Sequence, residues 1–97
     1  MAIFVSLVNW TEQGISTFKE TPKRVDAVRQ ILSKHGASFK DMYWTIGPYD
    51  VVAVIEAPDD ESATAALLEI GALGNVRTTT LRAFDRSEIE AIIAKTG

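Results

Sequence analysis

Two short segments of this chain, "IFVSLV" at 3–8 and "VVAVIEA" at 51–57, are apolar at almost every position and rich in β-branched residues. Segments of that length and composition are β-strands. Successive side chains of a strand point to opposite faces of its sheet, and a sheet covered by helices on one side only alternates apolar with polar. Neither segment alternates. In the first, Ile3, Val5 and Leu7 share one face, while Phe4, Ser6 and Val8 share the other, with Trp10 beyond. In the second, Val51, Ala53 and Ile55 oppose Val52 and Val54. Both strands need cover on two sides.

The remaining elements follow from local signals. Thr11 is a cap for a short helical turn through Ile15 and Phe18. Thr21 and Pro22 read as N-cap and first helical residue, a position where the missing N–H of proline costs nothing. Val25, Val28, Leu32 and His35 then recur at helical spacing, and Gly36 supplies a left-handed stop. A strand is expected over 39–46, joined by "TIGPYD" to the strand at 51–57 as a hairpin. Pro58 ends that ladder, and Asp59, Asp60 and Glu61 open a helix where its dipole favours acids. Ala63, Ala66, Leu67 and Ile70 form its apolar stripe, closed by Gly71 and Gly74. A fourth strand spans 76–84. Asp85 and Glu88 have capping-box spacing before a short helix with Ile89, Ile92 and Ile93 on one face.

The order β-α-β-β-α-β, with an extra C-terminal helix, is the ferredoxin-like α+β plan: a four-stranded antiparallel sheet carrying two helices on one side. This plan puts the first and third strands at the centre; the helices cover one face of them, and the other face needs a second cover. Burying six such side chains at ~1.5–3 kcal/mol each gives roughly ten kcal/mol before ordering costs are subtracted, and large bare apolar patches are uncommon on monomers. The expected solution is a homodimer packed sheet against sheet.

A chain of 97 residues suits one domain, 1–97, with a core that needs no staples. It has no cysteine, so disulfides and thiolate metal sites are excluded, in keeping with a cytoplasmic location. The net charge of -3 is spread along the chain and offers no basic patch for nucleic acid. The apolar N-terminus "MAIFVSLVNW" has no basic flank and is far shorter than the ~20 residues of a membrane span, so no membrane partner is expected.

Catalytic and cofactor signals are sparse. His35 is the only histidine, and its place at a helix end is explained by carbonyl capping and the helix dipole. A triad assembled from His35 with Ser6 or Ser38 lacks a nucleophile elbow. One histidine and the run Asp59-Asp60-Glu61 make no transition-metal site. The glycines match neither a P-loop nor a dinucleotide fingerprint, so no cofactor is expected. Thr78, Thr80 and Arg82 share one face of the fourth strand, and serve equally as edge polarity or as a polar cavity wall.

Three separated blocks, "VSLVNWTEQGI", "TIGPYDVVAVIEAPDDESA" and "GNVRTTTLRAF", resemble the GYD family, small bacterial and archaeal proteins named for a Gly-x-Tyr-Asp turn, here Gly47 to Asp50. The resemblance runs in order over nearly the whole chain. It implies a ferredoxin-like domain of the dimeric α/β-barrel type and brings no activity with it. The hairpin is also similar, more weakly, to the ligand-binding domains of feast/famine transcription regulators, where such a turn lies near an inter-subunit effector site; their helix-turn-helix domain has no counterpart here.

Two readings of the turn stay open. In one, Asp50 bonds backbone N–H groups and Tyr49 packs its ring locally. In the other, both line a pocket and bind a polar group of a small molecule. The expected function is that of a small soluble homo-oligomer holding a small molecule between subunits or between sheet and helices. Trp10, Tyr49 and Asp50 are the first candidates for its lining, with Thr78, Thr80 and Arg82 next. The aromatic set Trp10, Tyr43, Trp44 and Tyr49 fits such a cleft, although Tyr43 and Trp44 point to opposite faces. The alternatives are a cofactor-independent oxygenase or isomerase of the barrel superfamily, and a purely structural assembly unit.

Overall fold

The computed structural model describes residues 1–97. Four strands, β1 (Ala2–Trp10), β2 (Ser38–Trp44), β3 (Val51–Ala57) and β4 (Val76–Ala83), form one antiparallel sheet in the order β2-β3-β1-β4. The two doubly apolar strands are central, as the ferredoxin-like plan requires. Helices α2 (Thr21–Lys34) and α3 (Asp60–Ala72) connect β1 to β2 and β3 to β4, and α4 (Arg86–Ala94) follows β4. A short α1 (Glu12–Ser16) and a 3₁₀ turn, Phe18–Glu20, lead into α2.

Register sorts the side chains into two faces. Ala2, Phe4 and Ser6 stand opposite Ala57, Ile55 and Ala53 beneath the helices, and all six are buried. Leu32, Ala37, Ala63, Ala66 and Ile70 close over them to complete the core. On the opposite face Val5 pairs with Val54 and Leu7 with Val52, while Leu81 stands beside Val5. Nothing in the chain lies over this face: Leu81 on one edge strand is 51% exposed and Tyr43 on the opposite edge strand 64%. The two central strands are therefore apolar on both sides and covered on one, while the edge strands add Asp41, Arg77 and Thr79 to the uncovered face.

β2 carries one extra residue. Phe39 pairs with Ile55 and Asp41 with Val54, so Lys40 is left over in a bulge. The bulge reverses the alternation, and Phe39, Met42 and Trp44 all fall on the helix side. The strand ends at Trp44, two residues short of expectation. Thr45 instead closes a loop, its backbone N–H donating to the Asp50 carbonyl at 2.9 Å and its hydroxyl to the Tyr49 carbonyl at 2.6 Å.

Helix starts also differ in one case. Thr21 is not the N-cap of α2: its backbone is already helical, φ -51° and ψ -45°, because the 3₁₀ turn runs straight into the helix. An N-cap needs an extended backbone to aim its oxygen back at the first turn, so the Thr21 hydroxyl has no such partner. Asp85 caps as its spacing suggests, accepting from the Glu88 N–H, and Asp59, read from the sequence as a first-turn acid, is itself the N-cap of α3, accepting from the Ser62 N–H. Glu88 returns a bond from the Asp85 N–H, completing the capping box.

Candidate functional site

The one apolar hollow of note lies on the helix side of the sheet, between α2 and α3. Its volume is about 80 Å³. The floor is the sheet, with Ser6, Val8, Val51, Ala53 and Thr78; the walls are Val25 and Val28 of α2 and Leu67 and Ile70 of α3. Trp10 and Trp44 stand at the end where β1 and β2 finish, and the bulge of β2 brings Phe39 and Met42 to the same wall.

Polar groups in this lining are few. Ser6, only 2% exposed, shares its hydroxyl with that of Thr80 at 2.8 Å across β1 and β4. Arg24, also in the lining, donates to the carbonyls of Gly14 at 3.0 Å and Thr17 at 2.7 Å. The hydroxyl oxygen of Thr21 is different: it is shielded from solvent and has no hydrogen-bond partner. A buried hydroxyl left unpaired costs about 1–3 kcal/mol, and Thr21, which carries it, belongs to the lining of the hollow.

The residues singled out from the sequence divide into three sets. Trp10 and Thr78 line the hollow, and Thr80 shares their face through its bond to Ser6. Tyr49 and Asp50 sit in the adjoining turn, where Asp50 is committed to structure: its Oδ2 accepts from the Trp10 N–H at 2.8 Å and its N–H donates to the Val8 carbonyl at 2.8 Å. Arg82 stands at the far end of β4. Its guanidinium lies 4.5 Å from the centre of the Phe84 ring, 5.5 Å from that of Phe4 and 3.4 Å from the Asp60 carboxylate. Six residues chosen together thus serve two separate ends of the sheet. Thr21, Phe39 and Met42 were not among them.

His35 ends α2, but through its backbone, whose N–H donates to the Leu32 carbonyl. Its ring faces α3, with Nε2 3.4 Å from Glu69 Oε1. Lys34 Nζ donates to the same Glu69 oxygen at 2.7 Å and holds that carboxyl below the usual glutamate range, with His35 adding to the effect. Asp59 is likewise held low, chiefly by the Ser62 N–H it caps. No group of three or more acidic or histidine side chains is gathered closely enough to hold a metal ion, and no helix is long and apolar enough to cross a membrane.

Known proteins share both sequence and fold with this chain. The GYD domain family matches residues 4–93. A Thermus thermophilus protein named "Glutamine synthetase and cystathionine beta-lyase binding protein" is 34% identical over 92 residues, covering 94% of this chain and 97% of its own. Among solved structures, TTHA0845 from Thermus thermophilus is 26% identical with a TM-score of 0.56, over 88% of this chain and 95% of that one. MtbAldR, 17% identical, superposes with a TM-score of 0.67 over 88% of this chain and 52% of its own. A homoserine dehydrogenase from Thiobacillus denitrificans, 19% identical, gives 0.62 over 87% of this chain but only 17% of that enzyme. The last two share the ferredoxin-like fold with this chain.

Proposed function

The chain belongs to the GYD domain family, and from that premise we propose that it works by binding: as a homodimer closed through the open faces of two sheets, and as a small accessory subunit that docks on an enzyme. The observation that carries the proposal is the uncovered sheet face, with Ile3, Val5, Leu7, Val52, Val54 and Leu81 side by side on three adjacent strands. The accessible surface agrees with it. The chain exposes 6379 Å², about 900 Å² more than the ~5,500 Å² that size scaling gives a compact protein of 10.6 kDa. A standard interface removes about 800 Å² from each partner.

Docking on an enzyme is supported by the Thermus relative, whose name assigns it two such partners and which aligns with this chain almost end to end. The engagement of the chain's acid–base groups also favours binding over catalysis. Asp50 is spent on the Trp10 N–H, and His35 faces Glu69 rather than the hollow. The test has two parts. Light scattering at micromolar concentration should give twice 10.6 kDa, and a clean monomer removes the dimer. The protein, immobilised, should retain purified glutamine synthetase or cystathionine β-lyase of the same organism; retention of neither removes the docking.

A second reading is favoured by a separate observation, the unpartnered Thr21 hydroxyl in an apolar hollow. A small, mostly apolar molecule with one hydrogen-bonding atom matches that lining. Its size is limited, since about 80 Å³ is well below the range of drug-sized pockets. Quenching or enhancement of Trp10 and Trp44 fluorescence by small alcohols and ketones, which do not emit in the tryptophan range, tests it. Unchanged emission up to millimolar concentration removes it.

A further inference from the structure

Helix α4 is a finished helix with nothing to rest on. Its N-terminus carries a complete capping box and its Ile89, Ile92 and Ile93 form one apolar stripe, yet none of its residues is buried. It makes at most marginal contact with any other strand or helix, and its tie to the sheet is a 3.9 Å ion pair between Arg82 and Glu88. The molecule is drawn out to 52 Å along its longest axis against 30 and 18 Å along the others. Nine residues are too few for a helix to persist alone in water, where ~12–15 are already marginal. The stripe therefore needs a cover that its own chain does not provide.

We infer that α4 is an exchanged arm, which packs its Ile89, Ile92 and Ile93 stripe against a second copy of this chain and widens the contact made by the sheets. The inference rests on the sheet-to-sheet dimer proposed above. Three observations select a second copy as the occupant. The arm leaves β4 directly after Leu81 and Ala83, both on the uncovered face, with only Phe84 and Asp85 between strand and helix, so stripe and face belong to one continuous apolar margin. The surplus surface matches one half of a standard dimer interface, and the isoleucines of α4 contribute to that surplus. In a two-fold dimer each arm reaches the other copy in the same way, so one stripe serves twice. The charges of α4 suit a protein surface better than an anionic membrane. Arg86 pairs with Glu90 at 3.0 Å and Glu88 faces Arg82, so α4 itself carries one basic and two acidic side chains, whereas membrane-surface helices are rich in lysine and arginine.

The test is sedimentation velocity over a dilution series of the full chain, run alongside hydrogen exchange of residues 86–94. Three proteins are compared: wild type, an arm variant Ile89→Glu/Ile93→Glu, and a sheet variant Leu7→Lys/Val54→Lys, each checked for an intact fold by circular dichroism. The expected result is a dimer whose Kd rises at least tenfold in the arm variant, with α4 amides protected in concentrated wild type and unprotected on dilution. A Kd within twofold of wild type in the arm variant, with exchange of α4 independent of concentration, overturns the arm. If the sheet variant remains dimeric while the arm variant dissociates, the sheet contact fails and the arm stands. Protection of α4 that appears only with phosphatidylserine-containing vesicles overturns the arm in favour of a membrane surface.

Discussion

The carboxylate of Asp50 accepts the backbone N–H of Trp10 at 2.8 Å, joining the turn before β3 to the last residue of β1, 40 positions away. The N–H of Asp50 meanwhile donates to Val8. One residue thus closes the edge of the ladder twice, and Trp10 enters the hollow from a backbone fixed on both sides, since it also pairs with Val76 of β4. A hydrogen bond to an ionised acceptor contributes about 1.5–3 kcal/mol. Asp50→Ala should lower the unfolding free energy by that amount in urea, and Asp50→Asn, which keeps an acceptor, by about half. Equal stability of all three proteins would refute this role.

Gly14 of α1 packs its backbone against the loop between α3 and β4. A Cβ built there would stand 1.9 Å from the Asn75 carbonyl oxygen, the same oxygen that accepts the Thr11 N–H at 3.1 Å. No side-chain rotation relieves such a clash, so α1 must lift. Gly14→Ala is expected to destabilise by about 1–3 kcal/mol or more and to break the Thr11 contacts with Gly74 and Asn75. Thermal melting checks the first, and chemical-shift changes confined to Thr11 and residues 73–75 the second. An unperturbed melt would show that the approach is looser than the geometry requires.

Thr21→Val replaces the unpartnered hydroxyl by a methyl group of the same shape. Removing a buried group that has no partner relieves its desolvation cost. The expected outcome is a stability equal to wild type or higher by up to about 1 kcal/mol. A loss of stability in the variant would mean the hydroxyl has a partner in solution, and calorimetric unfolding in buffer alone distinguishes the two.

Acid should weaken the contact between α2 and α3. The Glu69 carboxyl is held low by Lys34 first and His35 second. A group depressed in the folded state gives its full contribution above its unfolded value, ~4.3 for glutamate, and loses it as the pH falls through the folded value. Wild type should therefore lose stability more steeply than Glu69→Gln below pH ~4.3, and the two should run parallel above about pH 6. Parallel curves throughout would assign the contact no part in acid sensitivity.

Much of the architecture was readable because its signals are local or periodic. The segments at 3–8 and 51–57 read as strands from composition alone, the order of elements puts them at the centre, and the spacing of Asp85 and Glu88 gives a capped helix whatever surrounds it. The hollow was less readable. Thr21 before Pro22 looks like an N-cap, and only the preceding 3₁₀ turn, a tertiary accommodation, makes it helical and leaves its hydroxyl alone. The target of Asp50 lies on another strand, so local turn chemistry could not distinguish it from a ligand contact. Arg82 shares a strand face with Thr78, but four residues of β-strand span roughly 13 Å, enough to place it in a different neighbourhood. Phe39 and Met42 escaped notice because a simple two-residue period assigns them to opposite faces.

The leftover Lys40 therefore decides the chemistry of the hollow by parity alone. Were β2 to run on from the Phe39–Ile55 pair without its bulge, Lys40 would take the place opposite Val54 that Asp41 now holds. Asp41 and Tyr43 would then turn inward, and Met42 and Trp44 outward. An indole and a thioether would give way to a phenol and a carboxylate. In this fold a kink gained or lost at the rim of the sheet can thus exchange a greasy chamber for an acidic one without substituting a single side chain.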